Sequence, residues 1–327
     1  MLKFHAMPFR MWRGRYGTGW ISMVLMLMVI TGCSKWTGGG PRMPYEPSLF
    51  SKTFRSRSSD SGFRKKIGVV PFQMTSQYGD PATKSVFQDN LLKAVETECP
   101  NVIFVTPTDG RNPEVLLQIP KLPSGEIDNY RLAMDGRQSG FFGILTATVT
   151  SINVDSKDKG VWFLRRTEYY IQVEALVELY SMATAVKLFD RAAAERIKID
   201  ETGVELIRSQ NRIDQSYIEK ALKKIIDDIS GGFCYSIRSV GWESYIVSTS
   251  GDDILIASGS RSGIRAGTIF NVYDNGRTIE GFGDHRFTFT GEKIGEVEVT
   301  DSFENSARAI PLTGSGFEAG QAVGIKK

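Results

Sequence analysis

Residues 66–72 read Lys-Ile-Gly-Val-Val-Pro-Phe, and this short apolar run starts the folded part of the chain. A run of this length with adjacent β-branched residues is typical of a buried strand. Asp80-Pro81 follows, offering a helix N-cap and a proline at the first helical position. The apolar spacing of Val86, Leu91 and Val95 then predicts an α-helix.

Strand and helix patterns continue to about residue 236. The predicted strands are residues 102–105, 143–154, 161–180 and 185–199, with a polar turn at 155–160. The predicted helices run from a Ser124 cap to about Met134, and from an Asp214 cap to a left-handed C-cap at Gly231-Gly232. This order predicts a layered α/β (α+β) domain with a mixed sheet over residues 65–236.

The pattern of residues in the sequence changes from about residue 239. Strands become short and glycine turns become frequent, a pattern that predicts a small all-β barrel over residues 239–327. Residues 263–270 and 316–323 echo each other, because each is a glycine-bounded turn that feeds a strand.

Residues 1–32 have the layout of a secretory signal peptide. Basic residues and no acidic ones precede an apolar run of 11 residues at 20–30, which is too short to span a membrane as a helix. Ile30-Thr31-Gly32-Cys33 follows and resembles the lipobox of bacterial lipoproteins. The resemblance implies cleavage before Cys33 and a diacylglycerol on its thiol. Ordinary cleavage near Gly32, which leaves a free thiol, is the alternative.

Residues 33–64 are predicted to form a lipidated, flexible tether. The glycine run at 38–40 and the serine-rich run at 55–62 lack apolar periodicity. Ser34, rather than an aspartate, follows Cys33, and the resemblance to lipoproteins then implies the periplasmic face of the outer membrane.

The charge of the processed chain excludes one class of function. Removing residues 1–32 leaves 295 residues, with 36 Lys+Arg (40 less 4) against 37 Asp+Glu. The basic pI of the whole chain is therefore no sign of nucleic-acid binding. Arg165-Arg166 lies near Trp162 and Tyr169-Tyr170, and for an exported protein this mixture predicts a sheet edge or a protein contact.

Two cysteines remain beside the predicted lipid attachment site. Cys99 and Cys234 form an even pair in an oxidising compartment, which favours a disulfide. Two buried free thiols, which behave as small hydrophobic side chains, are the alternative.

The processed chain contains no recognisable set of catalytic or metal-binding residues. His285 is the one histidine after residue 32, and no motif supplies the nucleophile of a catalytic triad. One histidine and two distant cysteines do not make a zinc site, and Asp227-Asp228 and Asp252-Asp253 lack the spacing of a calcium loop. We therefore predict no enzymatic activity, no metal and no cofactor.

The strand patterns resemble a known superfamily. Residues 67–72, 144–149 and 173–180 are similar to strands of the curli-secretion lipoprotein superfamily. That group includes the TolB amino-terminal domain, lipoprotein activators of peptidoglycan synthases and the middle domain of a flagellar H-ring protein. Thr184-Ala185 stands where the superfamily usually has Thr-Gly. Residues 239–327 resemble the carboxy-terminal barrel of the H-ring protein, which is of the Src-homology-3 type.

The resemblance implies an interaction protein that serves the assembly of an envelope machine, such as a flagellar ring or a secretion complex. Its partners would be the membrane, through Cys33, and other envelope proteins or further copies of itself in a homo-oligomer. One alternative is a regulator of a peptidoglycan synthase. A further alternative is an oligomeric secretion pore, in which residues 143–154 and 161–172 form a membrane hairpin.

Overall fold

The computed structural model of the chain describes residues 62–326, except 77, 79, 108–112, 162 and 164. The predicted signal peptide, Cys33 and the predicted tether up to residue 61 lie outside the described residues.

The described residues form a mixed sheet with flanking helices, followed by a barrel. The helices are α1 (Pro81–Glu98), α2 (Glu114–Leu117), α3 (Asn129–Gln138), α4 (Glu201–Gln210) and α5 (Gln215–Arg238). The strands of the sheet are β1 (Lys65–Val69), β2 (Gln73–Met74), β3 (Val102–Val105), β4 (Gly143–Lys159), β5 (Arg166–Ser181) and β6 (Lys187–Lys198). The later strands are β7 (Glu243–Ser250), β8 (Asp253–Ile256), β9 (Ile269–Tyr273), β10 (Thr278–Glu280), β11 (Arg286–Thr288), β12 (Lys293–Ser302), β13 (Ala307–Thr313) and β14 (Ala322–Ile325).

The sheet has the strand order β3-β1-β4-β5-β6, and β2 pairs with β4. Strand β1 runs parallel to both β3 and β4, while β5 is antiparallel to both of its neighbours, β4 and β6. Ile67 and Val69 of β1 are fully buried, as expected for a central parallel strand with layers on both faces. The predicted mixed sheet is confirmed.

Helices α1 and α5 cover one face of this sheet. The Asp80 carboxylate accepts a hydrogen bond from the Thr83 amide at 2.6 Å, which confirms the predicted cap of α1. Phe87, Leu91 and Val95 of α1 pack with the buried face of α5 on the strands, and together they form the main hydrophobic core.

A smaller core lies on the other face of the sheet. Leu116 of α2 and Leu132 of α3 pack there against Ile144 and Tyr180. Tyr245 of the barrel strand β7 belongs to the same cluster. The α/β part and the barrel therefore share buried apolar surface.

The barrel closes in the order β12-β13-β8-β7-β14-β9, with every neighbouring pair antiparallel. The predicted β-barrel is confirmed. The two echoing segments lead into β9 and β14, which pair with each other, and Gly267 and Gly320 both adopt positive φ at these turns.

The end of the predicted tether packs on the barrel. The Phe63 ring centroid lies 5.3 Å from that of Trp242 and 6.2 Å from that of Phe270. The Trp242 indole N–H donates to the Arg64 carbonyl at 3.0 Å. Residues 63 and 64 therefore belong to the folded body rather than to a free tether.

Three predictions within the folded part were also wrong. Residues 155–159 continue β4 rather than forming a turn, because the pairing of β4 with β5 runs to Lys159 with Arg166. The strand predicted over 161–180 accordingly begins only at Arg166. Ser124 does not cap a helix: Lys121 and Ile127 form a β-bridge, and Asp128 caps α3 by accepting from the Arg131 amide at 3.0 Å.

The third error concerns Gly231-Gly232, which do not end α5. The helix continues to Arg238 because Ile229, Phe233 and Ile237 form one buried stripe against the sheet. Packing of this stripe outweighs the low helix propensity of two glycines.

Ala185 occupies the position at which the resembled superfamily usually has glycine. Its φ is +59°, and its side chain is buried. A left-handed backbone is strained for any residue with a Cβ, and this explains the preference for glycine at this turn.

Cys99 and Cys234 form a disulfide with a Cα–Cα distance of 5.7 Å. Cys99 follows the end of α1, whereas Cys234 lies inside α5 rather than beyond its end. The bond joins the two helices of the main layer across 135 residues of sequence.

Replacing both cysteines, as Cys99→Ser with Cys234→Ser, is expected to lower the free energy of unfolding by about 2–5 kcal/mol, because the cross-link restricts the unfolded chain. Guanidinium unfolding of the processed protein measures the difference. A reductant should shift the midpoint of the parent and leave that of the double variant unchanged. Equal midpoints for the oxidised parent and the double variant would contradict the stabilising role.

The close contact between the α/β part and the barrel at Gly140 predicts the effect of a substitution there. Gly140 has a φ of +70°, and a Cβ at this position would meet the Ala257 side chain and lie 2.7 Å from the Ala257 carbonyl oxygen of the barrel. Gly125 has a φ of +89° with nothing near its missing Cβ. We expect Gly125→Ala to cost about 1 kcal/mol through backbone strain. Gly140→Ala should cost about 1–3 kcal/mol more through the clash. Thermal unfolding of both variants tests this, and equal losses would refute a tight joint.

Candidate functional site

Strand β6 forms a free edge of the sheet. Within the described part of the chain, its backbone pairs only with β5. Unpaired backbone groups along an edge offer a template for another strand. The sequence predicts a sheet edge or a protein contact near Arg165-Arg166 and does not identify this strand as an edge.

The side chains of β6 determine which partner strand fits. Charged residues occupy both ends of the strand, and Ala192, Ala193 and Ala194 lie at its centre. Charges discourage indiscriminate pairing of an edge, and three small side chains leave room for a partner to approach. Ala192 and Ala194 are exposed, whereas Arg191 and Glu195 turn towards α5 and form ion pairs with Asp228 and Lys224.

Strands β4 and β5 extend beyond β6 as a two-stranded projection. Pairing of β5 with β6 begins only at Tyr170, so the residues of β5 before Tyr170 extend past β6. We call residues 157–168 the arm. Four residue pairs, from Ser156 with Tyr169 to Lys159 with Arg166, carry the ribbon about 13 Å past this point.

The arm is fixed at its base by ion pairs and by α4. The Glu168 carboxylate lies 2.7 Å from the Lys159 ammonium and 2.6 Å from the Lys198 ammonium, and it accepts from the Tyr170 hydroxyl at 2.6 Å. Hydrogen bonds from Lys159 first, and also from Lys198 and Tyr170, lower the pKa of Glu168 to about 2. The Arg208 guanidinium of α4 donates to the Tyr169 hydroxyl at 2.6 Å.

The basic and aromatic residues singled out in the sequence lie around this base. Arg166 pairs with Glu201 of α4 at 3.8 Å, and Tyr169 and Tyr170 make the contacts just described. Trp162 lies outside the described residues.

A hairpin of the barrel, β10–β11, docks on α3. The buried Asn129 amide donates to the Ala185 carbonyl at 2.9 Å and to the Arg286 carbonyl at 2.7 Å. His285 contacts the Asn129 side-chain oxygen at 3.1 Å and Glu126 at 3.3 Å. His285 thus contacts two polar groups of the α/β part. Nothing in the sequence indicates that Asn129 links α3 to this hairpin.

A shallow cleft lies where the barrel meets the α/β part. Arg137, Tyr245 and Thr288 line it. The Arg137 guanidinium lies 5.7 Å from the centre of the Tyr245 ring and donates to the Met182 carbonyl at 2.6 Å. Burial raises the pKa of the Tyr245 hydroxyl. The space holds about one water molecule, which is too small for an organic ligand.

The part of the chain that the structure describes contains no group of three His, Cys, Asp or Glu side chains placed to hold a metal ion. None of its helices combines the length and hydrophobicity needed to cross a membrane. Cys33, the predicted lipid attachment site, precedes the described residues.

Comparison with known proteins places the chain in no family. No protein-family model and no curated protein matches it. A hypothetical protein from Chlamydia trachomatis is 9% identical, with a TM-score of 0.32, and the match covers 53% of this chain and 99% of that one. A minor lipoprotein from Acinetobacter baumannii is 7% identical, with a TM-score of 0.28, and the match covers 53% and 94%. TolB from the same organism is 10% identical, with a TM-score of 0.22, and the match covers 78% and 62%. Likeness at this level establishes no function.

The arm should lose rigidity in acid. The folded-state pKa of Glu168 is depressed from 4.5 to about 2, so its stabilising effect is present above pH 4.5 and is lost as the pH falls towards 2. We expect hydrogen-exchange protection factors of arm amides to fall over this window. Glu168→Gln should lower them at neutral pH and remove this pH dependence, whereas Glu205→Gln on α4 should behave like the parent. A pH-independent arm in the parent would contradict the role of Glu168.

Proposed function

We propose that this chain is a lipoprotein of the periplasmic face of the outer membrane, anchored through Cys33, that docks other proteins during assembly of an envelope machine. The charged start, the apolar run and the Ile30-Thr31-Gly32-Cys33 tetrad support the anchor. A flagellar ring or a secretion complex is the machine that the resemblance favours.

The observation that carries the docking role is the free β6 edge with its central alanines. The edge belongs to a rigid body. A disulfide joins the two helices behind the sheet, and Asn129 of α3 donates hydrogen bonds to the Ala185 carbonyl and to the Arg286 carbonyl of the β10–β11 hairpin. A rigid edge loses little conformational entropy when a partner strand adds to it.

We further propose a type for each of the two parts of the folded chain. The α/β part would be a domain of the curli-secretion and TolB amino-terminal type. The barrel would be of the Src-homology-3 type, as in the flagellar H-ring protein. The closed six-stranded barrel supports this pairing of parts.

The arm does not support the alternative of a secretion pore. A membrane-spanning hairpin needs one apolar face. Lys157, Lys159 and Arg166 lie on one face of the arm, and Asp158 lies on the other. Regulation of a peptidoglycan synthase remains the competing outcome of the test below.

A photo-crosslinking amino acid placed at Ala194 on β6 tests the docking role in cells. Ala82, an exposed alanine at the start of α1, is the matched control. We expect Ala194, and not Ala82, to capture flagellar basal-body or secretion-ring proteins, identified by mass spectrometry. Capture of peptidoglycan synthases would replace the assembly role by the regulatory one. Equal capture at the two positions would exclude β6 as the docking edge.

A further inference from the structure

The tip of the arm exposes large apolar side chains. Val161 is 67% exposed and Phe163 is 81% exposed. Both stand beyond the end of β6, on a ribbon that ion pairs hold in place. Neither residue belongs to any of the three hydrophobic clusters of the body. These two side chains therefore contribute nothing to the packing of the cores.

Basic residues surround this apolar tip. Residues 157–168 contain four basic residues, Lys157, Lys159, Arg165 and Arg166, and two acidic ones, Asp158 and Glu168. Among the described residues, Lys157 and Arg165 form no ion pair. The arm thus presents apolar groups at its end with an excess of positive charge behind them.

We propose that the tip of the arm inserts into the interface of an anionic lipid bilayer, as a second membrane contact beside the lipid on Cys33. Apolar side chains enter the boundary between headgroups and acyl chains, while lysine and arginine attract anionic headgroups. In this arrangement Val161 and Phe163 are the apolar side chains that enter the bilayer, and Lys157 and Arg165 are the basic side chains that attract the headgroups.

The arrangement fits a bilayer better than a pocket on a protein. Lys157 lies on β4 before the tip and Arg165 lies just before β5 after it, so positive charge flanks the apolar side chains on both sides and both groups can contact one anionic surface. The ribbon is narrow and holds the tip away from the bulk of the body, so it reaches a surface without a matching groove.

The lipid anchor of the proposed function supplies proximity for this contact. The predicted tether from residue 33 to residue 61, as a random coil, spans about 30 Å. The folded body therefore stays within reach of the membrane. The inference rests on the proposed anchor for proximity alone, because the affinity of the tip comes from its own side chains.

Vesicle sedimentation of unlipidated protein tests the inference separately from the anchor. The protein is the processed chain, residues 33–327, with Cys33→Ser so that no acyl chain is attached. The vesicles contain phosphatidylethanolamine with phosphatidylglycerol, and phosphatidylcholine vesicles are the neutral comparison. We expect binding to the anionic vesicles that weakens as salt is raised.

Two variants locate the contact. Phe163→Glu should lower the partition coefficient about tenfold, because it removes apolar area and adds repulsion. Phe282→Glu is the matched control, because Phe282 is 98% exposed at the tip of the β10–β11 hairpin and should bind like the parent. Val161→Glu is the second variant if Phe163→Glu does not fold, and unfolding curves check all of them.

Each outcome decides the inference. Loss of binding with Phe163→Glu and not with Phe282→Glu supports insertion of the arm. Absence of binding by the parent, equal losses in both variants, or no loss in Phe163→Glu overturns it. If the acylated protein remains in the membrane while the unlipidated parent does not bind vesicles, the second contact fails and the proposed anchor stands. Capture of a protein by the arm tip, with no vesicle binding, would assign the tip to a protein partner.

Discussion

The antiparallel pairing of β4 with β5 is the constraint on which the α/β part depends. Sixteen residue pairs hold the two strands together, from Gly143 with Ser181 to Lys159 with Arg166. One end of this ribbon joins β1 and provides the apolar surface for both cores. Strand β6 pairs with β5 from Tyr180 to Tyr170 as a free edge, and the far end of the ribbon leaves the body as the arm. A single pairing therefore places the core, the free β6 edge and the exposed tip of the arm on one ribbon.

The barrel restrains this unit from the other side. Tyr245 enters the smaller core, Gly140 lies against Ala257, and Asn129 bonds the β10–β11 hairpin. Unsatisfied buried polar groups are costly, so Asn129 favours one docking position of the hairpin. The free edge and the arm are consequently presented in fixed directions, which suits a protein that brings partners together.

Local signals in the sequence predicted the strands, the first helix and the barrel, because they depend on apolar periodicity, glycine turns and caps such as Asp80. Features that depend on distant packing were missed. Gly231-Gly232 continue a helix because Phe233 and Ile237 are buried against the sheet, and polar residues 155–159 continue a strand because β5 pairs with them. The two proposed contact surfaces, the β6 edge and the tip of the arm, could be predicted only in part from the sequence. Edges were expected, but neither the position of β6 nor the exposure of Phe163 follows from composition. Asn129 resembles any polar residue at a helix start until its partners are seen.

The proposed roles of the β6 edge and of the arm both depend on attachment at Cys33, since both require proximity to the membrane. Intact-mass spectrometry of the protein purified from native membranes tests this most directly. We predict a polypeptide that begins at Cys33 and carries the added mass of a diacylglycerol and of any further acyl chain on its amino terminus. A polypeptide that begins elsewhere, or one with an unmodified thiol at Cys33, would contradict the account.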